Sequence, residues 1–506
     1  MKILCALLTC ILLSSPFSFL SVSADQTPII DTVPERNDDH LQPASDITDG
    51  VRVTARGFDR SWPMTDGAFR YYCEGRAGAT VTLSGDIAIG GVYVLFDEVC
   101  ETWSVSDGTE RRIEKREEFI HQYVDVASVF GEECRSLTLT FDVGARVSEI
   151  YVLGLGACPD WVQRWESTPE RTDILLISAH SDDEHLFFAG ILPYYTSEGR
   201  IVTVAYLTEH YDKHERRHER LDGLWRAGVR YYPIVCGITD RYSTDMEWAK
   251  SNLTDDGHAA DEVDSLIVEL FRRTRPLVVF THDFEGEYKH GQHILLADSV
   301  ARMLKLSNDK TIYPESADRY GTYEVPKAYF HLWGENKIRF SWDEPSDKLG
   351  GKSPFEVSRE AFLCHTSQLN SKFYKWVFGE EGAWISTAAD IVEHSPLEFG
   401  LYHSTVGYGT SGDIFEGLTP YSNVGSEEPP DTETAPDTET LAPDTENAAP
   451  DGETAVDTIE KIPEQTTSSD SADSPDTDTP NITLMLVVAF LCVAVGAYVL
   501  IHRRKK

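Results

Sequence analysis

Basic residues are scarce in this 506-residue chain, where 45 Lys and Arg stand against 84 Asp and Glu and give a formal net charge of −39 at pH 7. A surface this acidic repels phosphate backbones, which argues against a nucleic-acid partner. Cysteine is also scarce, with nine in all, and the six that lie between residues 73 and 364 match no zinc-knuckle spacing. These six are compatible with disulfides and with free buried thiols, and the sequence does not choose between the two.

Long apolar runs are absent except at the two ends of the chain. Residues 1–24 combine Lys2, an apolar stretch and a small-residue cleavage site, which predicts a secretory signal peptide, with an N-terminal anchor helix as the alternative. Residues 482–501 are uncharged and close to the ~20 residues that a bilayer requires, which predicts a transmembrane helix. Residues 502–506 are HRRKK, a basic cytoplasmic tail that argues against a cleaved lipid-attachment signal. The sequence therefore predicts a single-pass cell-membrane protein with an extracellular body.

Aromatic residues are missing from residues 425–480, which repeat Pro-Asp-Thr-Glu in degenerate form. Residues 426–480 carry 17 Asp or Glu and a single Lys. Such a segment cannot bury a core, and charge repulsion together with proline keeps it extended. We expect an acidic, Pro/Thr-rich, disordered stalk between the body and the membrane.

Residues 47–156 have the pattern of an all-β domain. Short alternating or apolar runs, such as VTLSGDIAIGGVYVLFD, are punctuated by Gly and Asp, and no long helical periodicity competes with them. The pattern predicts a sandwich or jelly roll and, in architecture, resembles the galactose-binding-like modules. Four aromatic residues are either a sugar-stacking platform or, as we favour, part of the core: Trp62, Tyr71, Tyr72 and Trp103.

Residues 170–420 have a different pattern, in which apolar strands without alternation are separated by amphipathic helices. ILLISA, IVTVAYLT, YYPIVCGI and PLVVFTHD are the predicted strands, and DEHLFFAGILPYYTSEG is predicted as one helix that ends at Gly199. This order predicts an α/β domain with a parallel sheet covered by helices on both faces. In such sheets the chemistry lies outside the carboxyl ends of the strands.

One of these strand ends carries a dense polar cluster, in the sequence ILLISAHSDDEHLFFAGI at residues 174–191. Ser181 and Glu184 fit a capping box at the start of a helix, and acids in a first turn complement the helix dipole. A cap does not account for His180, which precedes it. The cluster therefore has two readings, a helix cap or a metal site.

A second histidine pair, His290 and His293, follows another predicted strand and favours the metal reading. A histidine, a neighbouring carboxylate and a histidine from a separate loop supply the three protein ligands of a catalytic zinc, with a second carboxylate as general base. The residues themselves do not say whether Asp182 or Asp183 binds the ion.

Residues 179–184, AHSDDE, resemble the A-H-P-D-D-E motif of the PIG-L (LmbE-like) zinc N-deacetylases, with Ser181 in place of the proline. Residues 290–293, HGQH, resemble that family's H-x-x-H. Arg216 and Asp240 fall where the family has substrate-side residues. The resemblance covers about residues 173–305 and implies a Rossmann-like α/β fold and the removal of acetyl groups from N-acetylated sugars.

The same resemblance implies roles for individual residues. His180, Asp183 and His293 would bind Zn²⁺, or another divalent ion. Asp182 would be the general base, and His290, when protonated, would stabilise the oxyanion or protonate the leaving amine. At lower rank, Arg216 and Asp240 would bind the sugar.

Three functions are compatible with these patterns. The first is a cell-surface zinc N-deacetylase that acts on an N-acetylglucosamine-type sugar in an extracellular glycan. The second is a surface adhesin or glycan-binding protein whose deacetylase domain is only a scaffold, against which the complete set of ligand residues argues. The third keeps the enzyme but changes the substrate to an amide other than a sugar acetamide.

Overall fold

The computed structural model of the protein describes residues 29–30, 41–115, 119–409 and 411–423, all of which belong to one unit of the chain, Met1–Pro429. Four predicted segments lie outside the described residues: the signal peptide at 1–24, the stalk at 425–480, the transmembrane helix at 482–501 and the tail at 502–506. Among the described residues, no helix combines the length and the apolar character needed to cross a bilayer.

Antiparallel strands make up the first domain, as the alternating apolar residues predicted. Its elements are β1 (Arg52–Phe58), β2 (Cys73–Ser84), β3 (Gly91–Phe96), β4 (Thr102–Ser106), β5 (Arg111–Lys115), β6 (His121–Asp125), α1 (Val126–Phe130), β7 (Ser136–Phe141) and β8 (Ala145–Leu153). β2 pairs with β7 along residues 79–84 and with β8 along residues 73–75. Because β2 joins both halves, the strands form one continuous sheet, in the order β5-β4-β7-β2-β8-β3-β6 with β1 on β2, in place of the separate sheets of a sandwich.

Trp103 lies in the core of this domain, as favoured from the sequence, and is not part of a sugar-stacking platform. Its ring is fully buried and stacks on Phe141 with ring centroids 6.1 Å apart. Tyr72 packs beneath the guanidinium of Arg146, and only Tyr71 of these three aromatic residues is about half exposed. The Trp62 side chain lies outside the described part of the chain. The large indole stabilises the fold through its burial and is not accessible for stacking on a sugar.

The second domain alternates strands and helices from residue 174 onward. Its strands are β9 (Ile174–Ser178), β10 (Val202–Glu209), β11 (Ile234–Thr239), β12 (Val278–Thr281), β13 (Lys327–His331), β14 (Lys337–Arg339), β15 (Gly379–Glu380), β16 (Ala383–Trp384) and β17 (Glu398–Ser404). Its helices are α2 (Asp183–Leu186), α3 (Ile191–Ser197), α4 (His214–Arg226), α5 (Met246–Asp255), α6 (Glu262–Thr274), α7 (Gly291–Met303), α8 (Pro314–Tyr320), α9 (Pro354–Phe362) and α10 (Lys372–Phe378).

The main sheet of this domain has the strand order β11-β10-β9-β12-β13-β17-β14. The first five strands are mutually parallel, as predicted. β17 and β14 are antiparallel to their neighbours, so the expectation of a wholly parallel sheet is wrong at that edge. Successive residues of β9 enter different apolar cores, since Leu175 packs with α5, α6 and α7 while Leu176 packs with α2, α3, α4 and α9. Helices therefore cover both faces.

The helix predicted to run from Asp183 to Gly199 is interrupted at Gly190. Two helices, α2 and α3, replace it, and Gly190 between them has a φ of +92°. A Cβ at this position would lie 2.3 Å from the Trp342 ring, so only glycine permits the approach. The close packing of an indole against the backbone bends the chain there.

One apolar core runs through both domains. It contains Leu139 of β7 as well as Leu221 of α4. A buried polar contact also crosses the boundary, where Nε2 of His121 lies 2.8 Å from Nδ1 of His218. The β domain therefore packs directly on α4 of the α/β domain.

The six cysteines of the body are free thiols. Burial raises the pKa of Cys73 to about 12 and that of Cys100 to about 11. Both thiols are therefore protonated at neutral pH and act as small apolar side chains. Of the two alternatives left open by the sequence, the structure has the free thiols.

Candidate metal centre and active site

Four neighbouring parallel strands end beside one another and deliver the polar residues of the site. His180 follows β9, His210 follows β10, Asp240 follows β11 and His282 follows β12, each within two residues of its strand. Because parallel strands share one carboxyl edge, side chains far apart in sequence meet there. α7 then begins at the same edge and carries His293.

Three of the predicted side chains converge as a ligand set. His180 Nδ1 lies 3.2 Å from Asp183 Oδ2 and 3.1 Å from His293 Nε2, and the last two atoms are 3.3 Å apart. A tetrahedral zinc with bonds of about 2.0–2.1 Å separates its ligands by roughly 3.3 Å. All three side chains are buried. Their chemistry and spacing therefore fit a divalent ion.

The far nitrogen of each imidazole has its own partner. His293 Nδ1 donates to the Glu287 carboxylate at 2.6 Å, and His180 Nε2 donates to the Gln292 side-chain oxygen at 3.0 Å. These contacts fix the ring tautomers and leave the facing nitrogens free to bind a cation. Gln292, which stands where an acid is common in the resembling family, thus supports a ligand.

Glu287 is the residue that the sequence reasoning missed. It is fully buried, and besides His293 it accepts from Nδ1 of His282 at 2.7 Å and from Nδ1 of His331 at 2.5 Å. Glu285, another acid of the same segment, is exposed and pairs with Lys289. The signal available was an acid three residues before His290.

His293 shows how strongly negative this site is. Burial alone would lower the pKa of His293, but Asp183 and Glu287 on either side of the ring raise it to about 10. Burial would likewise raise the pKa of Asp183, but His293 and His180 hold it well below its usual range. Without a metal, a proton on His293 supplies the positive charge that a dication would bring.

The capping-box reading of Ser181 is wrong. α2 begins one residue later than that box requires, and its N-cap residue is Asp182, with a φ of +119° and no side-chain cap hydrogen bond. The Ser181 hydroxyl is buried and has no hydrogen-bond partner in the part of the chain that is described. Glu184 Oε2 instead accepts from the Asp182 backbone N–H at 2.8 Å. This contact closes the loop and turns the Asp182 side chain toward the pocket.

The predicted base, Asp182, lies beside the ligand set. Burial raises its pKa to about 7, although Arg216, whose Nη1 is 3.5 Å from Asp182 Oδ2, opposes the rise. A carboxyl with a pKa near 7 can accept a proton at neutral pH.

His290 stands across the site from Asp182. Burial, with His180 and His293 nearby, lowers the pKa of His290 to about 2, so the ring is neutral in place of the protonated form expected from the sequence. Its Nδ1 accepts from the Gln292 backbone N–H at 3.2 Å. The proton is therefore on Nε2, which can donate a hydrogen bond without a positive ring.

A cavity of about 260 Å³ opens onto these groups. It brings together five of the predicted residues, His180, Asp182, Arg216, Asp240 and His290, while Asp183 and His293 lie beneath them. The remaining lining residues were not singled out as site residues from the sequence: His210, Lys213, Tyr242, Tyr288, Gln368, Lys372 and Phe373.

Asp240 links two histidines at the cavity wall. Its carboxylate lies 3.4 Å from His180 Nε2 and 3.2 Å from His210 Nδ1. Burial would raise the pKa of Asp240, but His180 and His210 hold it well below its usual range. About a third of this side chain is exposed, so an ionised acceptor faces the cavity.

Residues 175–304 match the family model described as PIG-L, GlcNAc-PI de-N-acetylase. A 1D-myo-inositol 2-acetamido-2-deoxy-alpha-D-glucopyranoside deacetylase of Saccharopolyspora erythraea is 27% identical over 210 residues, which cover 37% of this chain and 73% of that protein. The enzyme of the same name from Geodermatophilus obscurus is 28% identical over 211 residues, 37% of this chain and 70% of that protein. Among solved structures, N,N'-diacetylchitobiose deacetylase from Pyrococcus horikoshii is 15% identical, with a TM-score of 0.33, over 50% of this chain and 88% of that one.

Proposed function

We propose that this chain is a zinc-dependent N-deacetylase of N-acetylglucosamine-type sugars. Residues 175–304 match the PIG-L family model, and the two curated relatives are deacetylases by name. The observation that carries this proposal is the set of three buried ligand atoms, 3.1–3.3 Å apart, beside Asp182. The products are acetate and the free amine of the sugar.

The residues around the cavity divide the work of amide hydrolysis. His180, Asp183 and His293 would hold a divalent ion, which when bound would supply a Lewis acid for the acetamide carbonyl. Asp182 takes the proton from the attacking water and then passes it to the nitrogen of the leaving amine as the C–N bond breaks, while Arg216 holds the carboxylate in place. His290 donates from Nε2 to the oxygen on which negative charge develops.

The lining of the cavity supports a sugar as substrate. Ionised Asp240 and the ammonium group of Lys213 face the cavity and suit sugar hydroxyls, while Tyr242 and Phe373 offer flat apolar surface. The two curated relatives act, by name, on a 2-acetamido-2-deoxy-glucopyranoside. A sugar acetamide is therefore favoured over other amides.

The setting that we propose is the cell surface. The predicted signal peptide, acidic stalk, membrane helix and basic tail support an extracellular body, and an extracellular glycan would then be the substrate. The β domain, packed on α4, would hold that glycan near the cavity.

Acetate release from a panel of N-acetylglucosamine-containing glycans tests the proposal, with the full-length chain loaded with zinc. We expect release by the wild type and a loss of roughly 10²–10⁴-fold in Asp182→Asn, because the base is removed. Asp182→Asn should keep its metal, whereas Asp183→Asn should lose it, and Asp86→Asn, an exposed aspartate of the β domain, should change neither. Wild-type protein that binds zinc and releases no acetate from any glycan would contradict the proposal, as would full activity in Asp182→Asn.

A further inference from the structure

A second group of ligand-type side chains lies buried next to the active site. Glu184 and His185 belong to α2, and His365 follows α9. Glu184 Oε1 lies 3.3 Å from His185 Nε2 and 3.8 Å from His365 Nε2, and one ligand atom from each residue falls within 4.8 Å of the others. Each of the three side chains is at most 1% exposed.

This cluster is short of hydrogen bonds. Glu184 Oε1, both ring nitrogens of His185 and both ring nitrogens of His365 have no hydrogen-bond partner among the residues that the structure describes. The hydroxyl of Tyr206 also faces Glu184. A buried polar atom without a partner is destabilising, so native proteins rarely leave several of them in one place. The group therefore points to a ligand that satisfies these atoms together.

Gly223 lets α4 pack closely against the two imidazoles of this cluster. It lies inside α4, where glycine is less favourable than alanine. A Cβ at position 223 would lie 2.7 Å from His185 Nε2 and 2.9 Å from His365 Nε2. Both imidazole nitrogens thus face the same bare stretch of α4, where any side chain would collide with them.

We propose that Glu184, His185 and His365 form a second divalent-metal site, separate from the His180, Asp183 and His293 set. Two imidazoles and one carboxylate are a donor set that zinc accepts, with water as a fourth ligand. The three donors approach the roughly 3.3 Å spacing of tetrahedral ligands and close onto it by small movements of the imidazoles.

An ion at this site would act on catalysis through the backbone. The other oxygen of Glu184, Oε2, already accepts from the Asp182 N–H at 2.8 Å, and Asp182 has a left-handed φ of +119°. A metal on Oε1 would fix the carboxylate that holds this strained residue. It would also fasten the segment after His365, in which Thr366 donates to Glu219 of α4 at 2.7 Å. Glu184 is thus a positioning residue.

The metal content of the full-length protein, purified with zinc present and measured by inductively coupled plasma mass spectrometry, tests this assignment. We expect two ions per chain in the wild type, one in His365→Gln, one in His293→Gln, and two in the control His403→Gln, whose partly buried ring also has an unpartnered nitrogen but lies in neither cluster. One ion in the wild type, or the same content in His365→Gln as in the wild type, would overturn the proposal.

Two further measurements keep the test decisive. The number of ions bound per chain of the wild type does not depend on the folding of any variant. If circular dichroism shows that His365→Gln is unfolded, His185→Gln takes its place. After loading with Co²⁺, the visible absorption of either variant should be about half that of the wild type. Equal spectra would contradict the second site. Because His293→Gln reports on the first site alone, failure of the second site leaves the proposed deacetylase unaffected.

Discussion

Glu287 and His293 share a hydrogen bond of 2.6 Å on the side of the imidazole that faces away from the other metal ligands. The same carboxylate binds His282 and His331, so one buried acid orients three histidines from three different elements. The ligand geometry therefore depends on a residue that would never touch the ion.

Substitution Glu287→Gln should weaken metal binding by roughly 10–100-fold, because the His293 ring loses its charged acceptor and part of its basicity. Titration against a chelator of known affinity measures the change. Glu285→Gln is the matched control, two residues away, exposed and paired only with Lys289. Equal affinities for the two variants would contradict the role of Glu287.

Substitution Arg216→Met should shift the acidic limb of the pH profile of kcat/KM toward higher pH by roughly 1 unit. The base must be unprotonated, so activity rises with pH through the pKa of Asp182, which is about 7 with Arg216 beside it. Removing the guanidinium raises that pKa, and the loss of activity is greater at pH 6 than at pH 9. Arg216→Lys keeps the charge and should retain most of the original profile. A uniform loss at every pH would refute this electrostatic coupling.

Substitution Gly190→Ala should lower the free energy of unfolding by about 2–4 kcal/mol, since it combines a left-handed φ with a clash against Trp342. Gly199→Ala also has a positive φ, of +73°, but meets no atom within 4 Å, so it should cost only about 1 kcal/mol. Urea unfolding followed by circular dichroism compares the two. Equal losses would show that packing against the indole is unimportant.

The protein should lose stability as the pH rises from about 4.5 to 7, because of Glu149 in the β domain. This buried carboxyl accepts from the Gly67 N–H at 2.8 Å, and burial raises its folded-state pKa from 4.5 to about 7. A raised acid pKa means that the folded protein favours the neutral form, so ionisation opposes folding above the unfolded pKa.

Glu149→Gln should therefore be more stable than the wild type by roughly 1–3 kcal/mol at pH 8 and about equal to it at pH 4.5. Urea unfolding at the two pH values checks this, with exposed Glu133→Gln as the control. A pH-independent difference would rule out the ionisation of Glu149 as its cause.

The site residues whose positions depend on strand order could be predicted from the sequence. His180, Asp240 and His290 could be placed at one edge because parallel strands end together, whatever their separation in sequence. Glu287 could not be found in this way, because its three histidines meet only after β12, β13 and α7 have packed. Ser181 was assigned to a cap because spacing alone cannot show the left-handed turn at Asp182, which moves the start of the helix by one residue.

The expectation that Trp103 belongs to the core is confirmed, although its alternation with polar neighbours fits an exposed residue equally well and only the opposing Phe141 decides its burial. The errors in the fold have similar physical causes. β17 carries no local mark of its direction, which is set by pairing with β13. The predicted helix through Gly190 failed because Trp342 packs there from 152 residues further along the chain.

The apolar core common to the two domains makes them a single cooperative folding unit. Neither half is a separable module, because separating the two domains at the linker, residues 157–170, would expose the buried contact between His121 of β6 and His218 of α4. The catalytic fragment would lose the layer that supports the helix carrying Arg216. The β domain therefore supports the active site structurally. Fusions and truncations of the protein should keep residues 41–423 intact.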